Sequence, residues 1–415
     1  MVKGKKGLTL TTQIVLATVA AIVLGTIFGP SIKVVGFLGQ VWLRLIQMSI
    51  IVLVMTSVAS AIGNLEGESA GKMSFHTFKY IIGFTILSAA LGLALALIFQ
   101  PGIGIDLGSA GDITGGEIVT GSLIDTLVNF VPTNIFQAMT DGSTVQVIVF
   151  SLMFGIAAGM YGRKSGRDDV MMFIKDINGV IMEIINMVMK IAPIGIFGLL
   201  APVAGQSGLD LILPMLKFLL TLVIADLIMF LVYFPYTAWR VGVSPLKMPK
   251  KFAKMAIMAL TTTSGAVCLP TKMEDQVTKF GVSRRVSDFT GPITMSMNSS
   301  GAVACYVVAI MFMAQSAGIV MTPVEILTSM LLAIMMVMGT IVVPGGSVVV
   351  YTFFATSLGL PVEGIAVLIG IDWFAGSLRT VMNVTIDVLV GMLVSKDMGE
   401  FDKDVYNEEK VVEYN

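Results

Sequence analysis

The chain has 415 residues, of which 55% are hydrophobic and only 13% charged, and its mean hydropathy is +0.90. Soluble domains carry about 25% charged residues, so this is the composition of a polytopic membrane protein. A net charge of −1 gives no basis for binding nucleic acid. A single histidine and two cysteines in apolar surroundings exclude a Cys/His metal centre and a disulfide framework.

In chain order, Lys3, Lys5 and Lys6 precede an apolar run at 11–28. A basic start before an apolar run resembles a secretory signal, but this run exceeds an ordinary h-region and many spans follow it. It reads as an uncleaved first transmembrane helix with a cytoplasmic N-terminus. Further apolar segments lie at 36–62, 76–99, 134–160, 170–203 and 208–238. Two Gly/Pro-broken regions, 250–279 and 323–357, then alternate with helices at 285–313 and 361–395. The charged tail from Lys396 to Asn415 reads as disordered.

Lysines and arginines set the orientation. Lys72, Arg163, Lys164, Arg167, Arg240, Lys254, Lys272 and Arg285 fall on one side with both termini, whereas the loop holding Asp106, Asp112, Glu117 and Asp125 has no basic residue. Both termini are therefore expected in the cytoplasm, with the chain in the cell membrane and lipid around it. Basic residues flank the short apolar stretch 255–270 on both sides, so it enters and leaves from the same face. The stretch Met338-Gly-Thr-Ile-Val-Val-Pro344-Gly-Gly-Ser347 has the same character from the opposite face. Paired broken segments mark an inverted-repeat transporter, because freed backbone groups at membrane depth must meet protein or solute.

Asp372, Arg379, Asn383 and Asp387 are spaced seven, four and four apart, on one face of an apolar helix. Charged groups at membrane depth cost several kcal/mol unless paired or wetted, so the stripe reads as a binding site. A structural ion pair between packed helices is the other reading. Arg44, Lys190 and Lys217 read as snorkelling or scaffold residues, and Met171, Met172, Met182, Met187 and Met189 as packing. A channel would need a polar stripe through several helices. An intramembrane protease would need a Ser/His or Asp/Asp dyad, and the only histidine, His76, sits at the edge of a span.

With these residues in place, the chain resembles the dicarboxylate/amino acid:cation symporters. The likeness runs from the first helix to about Lys396 and rests on Val131-Pro-Thr-Asn134, Gln146-Val-Ile-Val-Phe, Ala192-Pro-Ile-Gly-Ile-Phe, Leu269-Pro270 and Gly339-Thr-x-x-Val-Pro-Gly345. Its most specific part is Arg379-Thr-x-x-Asn383-Val-Thr-x-Asp387. The resemblance implies an all-α fold of eight transmembrane helices and two re-entrant hairpins with inverted repeats, a homotrimer, and an elevator mechanism. Scaffold helices one and two would occupy 1–75 and helices four and five 101–205. The transport domain would take 76–100 and 206–396, with a cytoplasmic tail at 397–415. The family is one of transporters, not enzymes.

The resemblance also implies a site. Arg379 would grip a substrate carboxylate, with Thr380, Gly376, Asn383, Ala302 and the hairpin tips (Ser264, Gly265, Val343, Pro344, Gly345) around it. Amino-acid carriers of the family have an aspartate where this chain has Gly376, and that acid meets the α-ammonium. Its absence favours a C4-dicarboxylate such as succinate, fumarate or malate. Aspartate or glutamate stays open if Ser377 or Thr380 accepts the ammonium. Asp387 with Thr294, Asn298 and Asn383 matches the first Na+ site; Ser296, Val337, Met338 and Thr340 match the second. The third lacks its aspartate, replaced by Ser300, and most of its third-helix hydroxyls, where Ile81 and Phe84 leave only Thr85. Two Na+ ions, or H+ in place of one, are expected.

Overall fold

The computed structural model describes residues 10–63, 71–104, 128, 131–339 and 346–414, and these contain helices and no strand. Helices α1 (Leu10–Phe28) and α2 (Gly36–Gly63) join through the 3-10 turn Gly29–Val35. Helix α3 is Gly71–Phe99. Asn134 caps a short helix, Ile135–Thr140, through its Oδ1, and α4 (Thr144–Ser165) follows. Next come α5 (Asp169–Lys190), α6 (Ala192–Ser207) and α7 (Ile212–Val241). Pro193 in the first turn of α6 cannot donate its nitrogen to the preceding turn, so α5 ends at Lys190 and Ile191 stands between the two helices. The expected single helix over 170–203 is therefore bent by 58° there.

Six helical runs among the described residues are long and apolar enough to cross a membrane, or seven when the α5–α6 pair counts as one span. One run, Thr12–Ser60, has 49 residues and takes in most of α1 and α2 with the 3-10 turn between them. A crossing takes about 20 residues, so the run is long enough for two.

The two broken regions are pairs of short helices. The first is α8 (Met248–Thr262) and α9 (Gly265–Thr278), joined by Thr263, in left-handed geometry at φ +49°, and Ser264, whose Oγ caps α9 by accepting from Val267 N. The second is α12 (Pro323–Gly339) and α13 (Gly346–Leu358). These four helices have 15, 14, 17 and 13 residues. At about 20–26 Å each, none crosses a core of about 30 Å unaided.

The two helices expected to be continuous are also broken. The span at 285–313 divides into α10 (Arg284–Met297) and α11 (Ser300–Ser316), with extended backbone at Asn298. The span at 361–395 divides into α14 (Glu363–Gly370) and α15 (Asp372–Asp397) at Ile371. Both breaks fall beside the polar stripe.

Helices α1, α2, α4, α5 and α6 pack on one another. So do α3, α7, α8, α9, α10, α11 and α15, while α12 and α13 touch both groups through α2 and α11. Helices α1 and α6 meet backbone to backbone, because a Cβ on Gly25 would lie 2.6 Å from Ala201 O and one on Gly205 2.4 Å from Gly29 O. Small residues permit this approach where lipid leaves no hydrophobic drive between helices.

The tail corrects the sequence reading. It forms α16 (Lys403–Asn407), capped by Asp402, and Tyr406 is fully buried with its Oη donating to Ser244 O at 2.7 Å. Asp402 N donates to Gly281 O at 2.8 Å, and Lys251 pairs with Glu408 at 3.0 Å. Composition counts the tail's charges, whereas its placement rests on Val405 and Tyr406 and on charges that find partners.

Candidate substrate and cation site

Helix α15 carries the site. At its N-terminal end, Arg379 Nη1 lies 3.1 Å from Asp372 Oδ1 and donates to Tyr351 Oη at 3.0 Å. The guanidinium carbon sits 5.6 Å from the centre of the Tyr306 ring. Asp372 also accepts from Ser347 Oγ and, at 3.3 Å, from Tyr351 Oη. The side chains of Arg379 and Asp372 are 13% and 15% exposed, so the pair is partly open.

Gly376 lies one turn before Arg379, and a Cβ there would stand 3.3 Å from Arg379 Nη2. Nη2 has no hydrogen-bond partner among the described residues. The missing side chain thus keeps one arm of the planar fork open toward a ligand. Ser377 Oγ donates to Leu260 O at 3.0 Å and to Trp373 O, which holds the end of α8 against α15. Thr380 Oγ1 donates to Gly376 O at 2.7 Å. Both hydroxyls offer a ligand only their remaining lone pairs.

Asn383 faces the N-terminus of α11. Its Oδ1 accepts from Gly301 N at 2.9 Å and Ala302 N at 3.2 Å, capping two of the helix's otherwise unpaired N–H groups. Gly301 allows this because a Cβ would lie 2.8 Å from Arg379 O. The Nδ2 group is the part of Asn383 left for a ligand. Ser264 and Gly265 sit at the start of α9, both buried. Val343, Pro344, Gly345 and Thr340 lie outside the described residues, and Met338 is placed only as part of α12. Val337 is fully buried, whereas Ser296 is exposed and its hydroxyl donates to Pro292 O in its own helix. The Ser300 hydroxyl donates to Asn298 Oδ1 at 3.2 Å, and Thr85 Oγ1 is buried without a partner among the described residues.

Two turns further along α15, Asp387 meets a residue that the sequence reading placed on the cytoplasmic surface. Lys272 of α9 is fully buried, and its Nζ lies 2.6 Å from Asp387 Oδ2. The same ammonium donates to Gly291 O at 3.0 Å and Thr294 Oγ1 at 3.2 Å. Asn298 Nδ2 donates to Asp387 Oδ1 at 2.8 Å. Asp387, Thr294 and a backbone carbonyl are oxygen donors of the kind a hard cation takes. Here they surround an ammonium. A further monovalent cation about 4 Å from Nζ would be repelled by about 4 kcal/mol at an effective dielectric of 20. The residues at Asp387 do not fit a bound Na+ while Lys272 stays in place.

Two functional candidates escaped the sequence reading. Lys272 was grouped with the loop lysines, although a lysine two residues after Pro270 in a broken apolar segment was the available signal. Asp226 lies midway along α7, is 8% exposed, and makes no hydrogen bond or ion pair with the described residues. An acid inside a 30-residue apolar helix could have flagged it.

The model of the sodium:dicarboxylate symporter family matches residues 10–397. The chain belongs to this family. It is 31% identical to a proton/sodium-glutamate symport protein of Bacillus caldotenax, over 97% of this chain and 96% of the relative. It is 28% identical to a C4-dicarboxylate transport protein of Rhizobium etli, over 96% and 92% of the two chains. A proton/glutamate-aspartate symporter of Escherichia coli K12 is 27% identical over 88% and 85%. The family member described here is thus a membrane transporter and not an enzyme.

Proposed function

We propose that this protein is a secondary active symporter that moves a small carboxylate into the cell, with a C4-dicarboxylate such as succinate, fumarate or malate as the favoured substrate. The observation that carries the reading is Arg379 Nη2, which has no hydrogen-bond partner among the described residues and stands 3.3 Å from where a Cβ on Gly376 would lie. One substrate carboxylate meets that arm, and the other meets Asn383 Nδ2 and backbone N–H groups at the hairpin tips. No acid stands at position 376 to neutralise an α-ammonium, and burying an unpaired charge is costly. Coupling is to Na+ or H+, the ions for which the related symporters are named. Helices α3, α7, α10, α11 and α15 with both short-helix pairs form the moving body of an elevator, held by α1, α2, α4, α5 and α6 in a homotrimer.

A second reading, acidic amino-acid transport, is favoured by the relatives named as glutamate and glutamate-aspartate symporters. Uptake of labelled succinate and L-aspartate into liposomes, driven by a Na+ or a proton gradient, separates the two. The first reading expects concentrative succinate uptake that malate and fumarate compete and L-aspartate competes weakly. Concentrative L-aspartate uptake that succinate fails to compete establishes the second.

A further inference from the structure

We propose that Lys272 is a tethered cation: its ammonium permanently fills the locus at Asp387, so that no alkali cation enters there during transport. The inference rests on the symporter reading and changes how many ions that symporter carries.

The locus is complete as built. An ammonium has three protons, and the Lys272 ammonium finds three acceptors: Asp387 Oδ2 at 2.6 Å, Gly291 O at 3.0 Å and Thr294 Oγ1 at 3.2 Å. The second Asp387 oxygen takes Asn298 Nδ2 at 2.8 Å. The Lys272 and Asp387 side chains are 1% and 2% exposed, so neither charge is answered by water. A buried ion pair that is fully hydrogen-bonded and neutral has no need of a further charge, and one that gained a cation would carry an uncompensated one. The five groups belong to α9, α10 and α15 and to the Asn298 break, so the lysine joins three helices without any solute. In a site that takes a free cation, filling the locus depends on that cation's concentration. Here it depends only on folding.

The experiment measures the apparent dissociation constant of succinate, or of L-aspartate if that is the substrate, across Na+ concentrations at constant ionic strength with choline as replacement. With Asp387 occupied by Lys272, the wild type gives a slope of log Kd against log Na+ no steeper than about one in magnitude, from the second site alone. Lys272→Ala removes the ammonium and leaves space, so its slope steepens by about one and its melting temperature becomes Na+-dependent. Lys272→Met removes the charge but fills the space, so added Na+ does not restore it. A wild-type slope of two or more overturns the proposal, and this measurement does not depend on any variant folding. An Ala variant that folds with the wild-type slope overturns it too. Failure of the wild type to bind any carboxylate in any salt would instead defeat the symporter reading.

Discussion

Helix α15 carries two ion pairs, one on Arg379 and one on Asp387, eight residues or about 12 Å apart along its axis. The Asp372–Arg379 pair is 15% and 13% exposed and leaves Nη2 without a hydrogen-bond partner among the described residues, whereas the Lys272–Asp387 pair is 1% and 2% exposed, with three acceptors on the ammonium and Asn298 on the second carboxylate oxygen. The same residue types on one helix therefore have different uses. A charge pair with one open arm can exchange its contacts for a ligand's. A closed pair can only hold its helices together and keep other ions out.

The comparison breaks most directly at Arg379. Arg379→Ala removes the open arm and strands Asp372, and truncating one partner of a buried charge pair costs about 2–5 kcal/mol. Substrate affinity should fall by roughly thirtyfold or more and uptake should vanish, with an unchanged elution profile. Wild-type affinity in that variant would make this pair as structural as the other.

The closed pair should respond in stability instead. Asp387→Asn leaves a buried ammonium facing an amide and should destabilise by about 3–5 kcal/mol. Combining Lys272→Met with Asp387→Leu removes both charges and should recover most of that loss, since apolar replacement of a whole buried pair is often neutral. Thermal melting of the single and double variants tests this coupling, and simple additivity would refute it.

Gly376→Asp sharpens the contrast by closing the open pair. The new Cβ would stand 3.3 Å from Arg379 Nη2, so its carboxylate would take the arm offered to the substrate. Succinate affinity should fall by roughly tenfold to a hundredfold, about 1–3 kcal/mol, while L-aspartate gains relative to it. Competition binding of the two ligands to both forms gives the answer. An unshifted preference would mean that another residue meets the ammonium.

The smallest effect concerns the tail, where charges face water and are screened. The Lys410 ammonium, hydrogen-bonded to Asp402, holds that carboxyl below its usual value. A folded-state value lowered in this way contributes stability above the unfolded value of about 3.9, lost as the pH falls through the lowered one. Amide protection across residues 398–414, taken relative to the intrinsic exchange rate at each pH, should therefore be high at neutral pH and fall only below about pH 4. Rapid exchange at pH 7 would show that α16 does not stay docked.

The four-residue stripe on α15 was legible because helical spacing and the cost of charge in lipid are local facts about sequence. So were the two broken regions, since glycine, proline and hydroxyl residues announce helix ends wherever they occur. The breaks at Asn298 and Ile371 lie inside segments that read as single helices, and at the first of them α11 starts where Asn383, 82 residues from Gly301, accepts from its free N–H groups. The docked tail was hidden for a related reason: one tyrosine and a few complementary charges have no signal until Ser244, Gly281 and Lys251 are beside them.

What the sequence by itself determined was the membrane class, the family and the residues at risk of carrying charge. Which of them bind and which merely balance one another was decided by tertiary structure. Lys272 and Asp387 are 115 residues apart, and a lysine near a run of basic residues reads as a surface charge. Only the packing of α9 against α15 brings its ammonium to 2.6 Å from the carboxylate. At that distance the two charges neutralise each other in a medium that cannot solvate either. The physical identity of the locus, a cation site or a closed pair, depends on that distance and not on any property of Asp387 alone.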